Sequence, residues 1–177
     1  MNLVSNIILC GFMGTGKSAV GQAVSKELGL TFLDTDRLIE KRSNKSVADI
    51  FREEGEDAFR YYENKLVGEL GYLKNLVIAT GGGMILSPGN YAQLEAIGIM
   101  ILLRATPETI FARIADSRRR PLLSNSDLKY EIEDLLAKRS PIYDKIKYKI
   151  DTDSMDIRQV SQKVIDIYKD YYELSRY

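Results

Sequence analysis

The octapeptide Gly11-Phe12-Met13-Gly14-Thr15-Gly16-Lys17-Ser18 fills every defined position of the pattern G-x-x-x-x-G-K-[ST]. Its flanks are the ones that pattern needs. Residues 6 to 10 form a short apolar run, and residues 18 to 28 place Val20, Ala23, Val24 and Leu28 at helical spacing ahead of Gly29. Strand, glycine loop and helix in that order predict a phosphate cradle. Backbone N–H groups converge there, the helix N-terminus adds its positive end, Lys17 brings a point charge, and the Ser18 hydroxyl suits Mg²⁺. Gly14, Thr15, Gly16, Lys17, Ser18 and Ala19 are therefore the candidate nucleotide contacts.

The same alternation recurs along the chain. Leu30 to Asp34, Leu76 to Ala79, Ile99 to Leu103 and Tyr148 to Asp151 read as strands separated by helical pattern, which gives five strands in all. Runs such as Ile99-Met100-Ile101-Leu102-Leu103 are apolar on consecutive residues, as strands covered on both faces are. The expectation is a three-layer α/β/α sandwich with a five-stranded parallel sheet, folded as one domain over residues 1–177. Helix starts are marked by Ser46-x-x-Asp49, Ser87-Pro88 and Thr106-Pro107, each with a candidate capping oxygen. Gly55 divides the segment after the second strand into a short helix over 47–54 and a longer one carrying Phe59, Tyr62, Leu66 and Leu70. The apolar stripe over 156–172 reads as core packing. The most loop-like stretch, with Arg118, Arg119, Arg120 and Pro121, predicts a lid over about 114–126.

Composition narrows the chemistry. Lys+Arg and Asp+Glu are equal at 25 each, so no global field holds a polyanion, and an anionic ligand has to be gripped by local donors; nucleic acid is not expected. With no histidine, Ser-His nucleophilic catalysis and His-ligated zinc are excluded, which leaves Lys, Arg, Asp and Glu. The single Cys10 reads as a small core residue. No apolar run approaches the roughly 20 residues of a membrane span, and no secretory leader is recognisable, so a cytoplasmic chain without a membrane partner is expected. A phosphate cradle alone leaves GTPases, ATPases and small-molecule kinases open. The absence of an Asn-Lys-x-Asp guanine motif, and a length with little room for a second motor domain, favour the kinases.

Two further blocks fall at predicted strand ends, where open α/β sheets bind ligands. Asp34-Thr35-Asp36 offers paired carboxylates for metal and hydroxyl contacts, one of which could instead cap the following helix. Thr80-Gly81-Gly82-Gly83 clears side chains from the sheet's edge so that a substrate can approach the backbone. On spacing alone, Arg60 and Glu63 at i and i+3 make an ordinary surface ion pair.

Gly55-Glu56-Asp57-Ala58-Phe59-Arg60-Tyr61-Tyr62-Glu63 matches the G-E-x-x-F-R-x-x-E block of shikimate kinases. With the phosphate loop, Asp34 to Asp36, Thr80 to Gly83, Arg120 to Leu123 and Lys138-Arg139-Ser140-Pro141-Ile142-Tyr143 in the same order, the chain resembles that family over nearly its whole length. The resemblance implies ATP-dependent phosphorylation of the 3-hydroxyl of shikimate. It implies that a helical region over about 34–62 binds the acceptor, that Arg60 and Arg139 hold its carboxylate beside Gly81, Gly82 and Gly83, and that Asp36 meets its hydroxyls. It further implies Lys17, Asp36 and Arg120 as catalytic groups, Ser18 and Asp34 at Mg²⁺, Arg120 reaching the phosphates from the lid, Arg113 stacking on adenine, and a monomer. The loop Thr152-Asp153-Ser154-Met155-Asp156 departs from the family in lacking a basic residue and a proline near the base. The competing expectations are a kinase of another small acceptor, such as gluconate or a nucleoside monophosphate, and an inactive nucleotide-binding regulatory module. The module would be expected to lack at least one of Lys17, Ser18, Asp34, Asp36 and Arg120, yet all are present.

Overall fold

The computed structural model describes residues 6–115 and 125–174. Arg120 and most of the expected lid, residues 116–124, lie outside them. Five strands, β1 (Asn6–Cys10), β2 (Thr31–Asp34), β3 (Leu76–Ala79), β4 (Gly98–Arg104) and β5 (Tyr148–Asp151), form one sheet in the order β2-β3-β1-β4-β5. Every neighbouring pair is parallel. Each strand lies within a residue of its expected bounds.

The alternation of side chains along β1 explains the layers. Ile7 and Leu9 join Val77, Ile99, Ile101 and Ile150 beneath α1 (Lys17–Leu28) and α8 (Ile157–Leu174), which contribute Val20, Val24, Val160 and Val164. Ile8 and Cys10 point the other way, into a core with Ile78, Met100 and Leu102. That second core is closed by α2 (Thr35–Ser43), α3 (Val47–Glu53), α4 (Glu56–Leu70), α5 (Pro88–Ile97) and the end of α7 (Asn125–Tyr143), which supply Ile39, Ile50, Leu66, Leu94 and Tyr143. A smaller cluster of Phe12, Ile110, Leu128 and Ile132 joins the phosphate loop to α6 (Pro107–Ala115) and α7. Burial of Cys10 pushes its thiol up to about 12, so it behaves as the core residue expected.

Two of the three expected caps form. Ser46 Oγ accepts from the Asp49 N–H at 3.1 Å, and Thr106 Oγ1 accepts from the Thr109 N–H at 3.3 Å. Ser87 stands at the N-cap of α5 but makes no side-chain cap bond, and Pro88 at the first position sets that start instead. Asp34 caps a helix, as the sequence allowed for one of the paired carboxylates, but the bounds of that helix, α2, were not drawn. Its sequence TDRLIEKRS holds only Leu38 and Ile39 as large apolar residues, too few to draw a stripe, and its start is fixed by the Asp34 carboxylate accepting from the Arg37 N–H.

Candidate active site

The phosphate loop leaves β1 and enters α1 through Gly16, whose φ of 93° lies in the left-handed region that glycine adopts without strain. Lys17 folds back over the loop, donating to the carbonyls of Gly11 at 2.9 Å and Phe12 at 2.8 Å. Its burial lowers the ammonium pKa to about 8, and the nearby Asp36 carboxylate resists that fall, so Lys17 stays mostly charged at neutral pH. Ser18, one residue into α1, donates from Oγ to Asp34 Oδ2 at 2.6 Å. The Asp34 carboxylate thus serves two ends: Oδ1 caps α2 and Oδ2 meets the phosphate loop.

Two residues further on, the first turn of α2 aims Asp36 into the same cleft. Asp36 Oδ1 is buried and accepts no hydrogen bond. Desolvation raises the carboxyl pKa to about 6, and the Asp34 charge raises it too, with Lys17 opposing. The middle residue, Thr35, is fully buried, and its Oγ1 accepts from the Gly81 N–H at 2.8 Å, tying the two blocks together.

The glycine run is shaped by its neighbours. A Cβ on Gly81 would sit 2.3 Å from Asp36 Oδ1, and one on Gly83 would sit 2.6 Å from Arg60 Nη1. Gly82 accepts at its carbonyl from Arg139 Nη1 at 3.0 Å. Arg60 and Arg139 therefore reach adjacent glycines from different helices, α4 and α7. Arg60 Nη1 donates to Glu63 Oε2 at 2.7 Å, and Nη2 donates to Glu56 Oε1 at 2.8 Å. The pairing with Glu63 is not the surface contact that spacing suggested, because Glu63 is only 1% exposed and its burial raises its pKa. Its other oxygen, Oε1, is buried without a hydrogen-bond partner. The i+3 spacing showed that the pair could meet, but gave no sign of which helix face would be covered.

Lys17, Ser18, Asp34, Asp36 and Gly82 line one cleft of roughly 360 Å³ together with Gly14, Gly16 and Ala19. A second hollow of roughly 590 Å³ opens beyond the loop, between Gly14, Thr15, Gly16, Ala19, Arg113 and Met155. Arg113 does not lie free on α6. Its Nη1 donates to Gly14 O at 3.1 Å and Thr152 Oγ1 at 3.0 Å, and its Nη2 donates to Thr152 O at 2.8 Å. The loop after β5, despite its departure from the family pattern, thus holds Arg113 through Thr152 and holds the start of α6 through Asp153, which accepts from the Thr106 N–H at 2.8 Å. Neither role was readable from the sequence.

A parallel sheet with a phosphate loop on its central strand, a helical insertion after β2, and paired arginines and carboxylates around one cleft define a P-loop phosphotransferase of the small-molecule kinase class. Comparison with known proteins narrows the class. The shikimate kinase family model matches residues 13–169. A shikimate kinase of Caldanaerobacter subterraneus subsp. tengcongensis is 46% identical over 165 residues, 93% of this chain and 96% of its own length. One of Pelotomaculum thermopropionicum is 44% identical over 95% of this chain and 98% of its own length. The shikimate kinase of Acinetobacter baumannii, solved in complex with shikimate, superposes with a TM-score of 0.85 at 36% identity, covering 93% of this chain and 92% of that one. The chain belongs to the shikimate kinase family.

Proposed function

We propose that this chain transfers the γ-phosphoryl group of ATP to the 3-hydroxyl of shikimate. One observation carries the reading: Asp36, whose Oδ1 is buried and unpartnered, lies between the phosphate loop and a glycine run flanked by Arg60 and Arg139. That cleft offers donors for a triphosphate on one side, and on the other an acceptor for a hydroxyl and two guanidinium forks for a carboxylate. A small acid bearing ring hydroxyls complements it. A phosphate-bearing acceptor such as a nucleoside monophosphate would leave the Asp36 acceptor facing a second anion.

In the proposed reaction the 3-hydroxyl oxygen forms a bond to the γ-phosphorus as the bond from that phosphorus to the β,γ-bridging oxygen breaks, and ADP leaves. The hydroxyl proton passes to Asp36, which is ionised at neutral pH with a pKa close enough below it to accept. Lys17 exchanges its two loop carbonyls for phosphate oxygens and balances the charge that builds on them. Arg60, held from behind by Glu56 and Glu63, turns its remaining donor capacity on the substrate carboxylate together with Arg139. Ser18 Oγ and Asp34 Oδ2, hard oxygen donors already side by side, fit an Mg²⁺ site. An Mg²⁺ ion held by these two side chains would neutralise phosphate charge. Arg113 belongs to the adenine side of the nucleotide hollow, and Arg120, outside the described residues, to the phosphates. The enzyme is further taken to be cytoplasmic, as its lack of a long apolar run suggests, and a monomer, as the family resemblance implies. Among the described residues no helix is long and apolar enough to cross a membrane.

The test is ADP release from MgATP with shikimate, gluconate, a nucleoside monophosphate or no acceptor. Turnover is expected with shikimate alone and should fall by at least about a hundredfold in Asp36→Asn, in keeping with loss of a general base, while ATP affinity is retained. Turnover with another acceptor in preference to shikimate would refute the assignment.

A further inference from the structure

Phe12 occupies a position that the phosphate-loop pattern leaves open, so nothing in nucleotide binding asks for an aromatic side chain there. Its ring is nevertheless only 1% exposed and packs with Ile110, Leu128 and Ile132. Its main chain is held just as firmly, because the carbonyl accepts from Thr15 Oγ1 at 2.8 Å and from Lys17 Nζ at 2.8 Å. A ring fixed at both its backbone and its edges is a rigid platform. On its face stands the Arg139 guanidinium, with Cζ 4.8 Å from the ring centroid. The only hydrogen bond drawn to that guanidinium from the main chain of the glycine run is at Gly82 O.

We propose that Phe12 is the positioning residue for Arg139, presenting the acceptor's arginine through a cation–π contact, and that it thereby makes the phosphate loop a determinant of acceptor affinity. The inference rests on the proposed function, which gives Arg139 its substrate. Three weak restraints set the guanidinium: the ring below, the Gly82 carbonyl beside it and the Tyr143 hydroxyl. None matches the two ion pairs, to Glu56 and Glu63, that fix Arg60, so removing the ring frees Arg139 to sample rotamers that cannot meet a carboxylate. The geometry also places the two half-sites on one residue. The Phe12 carbonyl receives the phosphate-binding lysine, and its ring receives the acid-binding arginine. A Cβ on Gly82 would lie 3.1 Å from Arg139 Nη1 and 3.9 Å from both Gly11 O and Met13 N, so loop, glycine run and guanidinium form one packed unit.

The test separates the ring's charge distribution from its bulk. Phe12 is replaced by mono-, di- and trifluorinated phenylalanine, which keep nearly the same shape while draining negative charge from the ring face. The KM for shikimate should climb with each fluorine, to on the order of fivefold for the trifluorinated ring, the factor expected of a partly desolvated cation–π contact. The KM for ATP and the melting temperature should stay level. Phe12→Leu should raise the shikimate KM at least as far, and should add nothing in an Arg139→Ala background. A shikimate KM that is flat across an active fluorinated series, or equal rises in both KM values, overturns the inference while leaving the kinase reading intact. If the unsubstituted chain shows no shikimate-dependent turnover, the kinase reading itself fails and this inference goes with it.

Discussion

Asp36 has to be ionised in a place that disfavours ions. Its neighbours are another carboxylate and a glycine run, and its buried Oδ1 accepts no hydrogen bond; the proposed reaction gives it the substrate hydroxyl. The pH dependence of stability follows from the sign of that shift. The folded-state pKa of about 6 stands above the ordinary 3.8, so the contribution is fully favourable below pH 3.8 and is lost as pH rises through 6. Asp36→Asn removes the ionisation. The variant should therefore be more stable than the parent at pH 8, by about 2 kcal/mol in denaturant titrations, with the difference shrinking towards pH 4. A difference independent of pH would mean that Asp36 is not buried as a charge. Lys17 works in another range, since its depressed pKa makes the cost of burying the ammonium complete below about 8 and relieves it only as pH climbs towards 10.5. Both residues were legible in the sequence as site candidates, because motif spacing puts them at strand ends. The burial that tunes them was not, since it arises only when separate elements pack together, as where Thr35 Oγ1 accepts from the Gly81 N–H.

The elements themselves were legible where burial is two-sided. β1, β3 and β4 are apolar at nearly every position because helices cover both faces of the sheet, and that pattern survives without knowledge of the partners. The bounds of α2 were not drawn because tertiary position, not its own apolar pattern, makes it a helix: Asp34 caps it, and Ile39 is its one buried large apolar side chain, beside the buried Thr35. The join between α1 and β2 depends on a detail of the same kind. A Cβ on Gly21 would meet the Phe32 ring at 2.5 Å, so this helical glycine is a spacer that lets α1 lie flat on the sheet. Gly21→Ala should destabilise the fold by about 1–3 kcal/mol through overpacking, despite alanine's better helix propensity. Thermal or urea unfolding reads the effect, and the specific activity of the folded fraction should be unchanged. Stabilisation by the same substitution would show that Phe32 yields freely and that the spacing is not set there.

At the scale of the whole molecule, the strand order divides the labour. β1, β4 and β5, with their loops and α6, carry the phosphate cradle and the hollow beside Arg113, while β2 and β3, with α2 and α4, carry Asp34, Asp36, the glycine run and Arg60. Because every strand is parallel, all of these groups emerge at one edge, and the central position of β1 sets donor and acceptor half-sites against each other. α7 crosses between them, with Arg139 bonded to the glycine run and stacked on the phosphate loop. On the proposed reading this arrangement serves transfer of a group between two small ligands held face to face, with the arginines taking the acceptor's carboxylate. The most direct measurement is phosphorus NMR of the products formed from MgATP and shikimate. The account predicts ADP and one new phosphomonoester whose phosphorus couples to the ring proton at the 3-position, in equal amounts. ADP with inorganic phosphate alone, or a phosphomonoester at another hydroxyl, would contradict it.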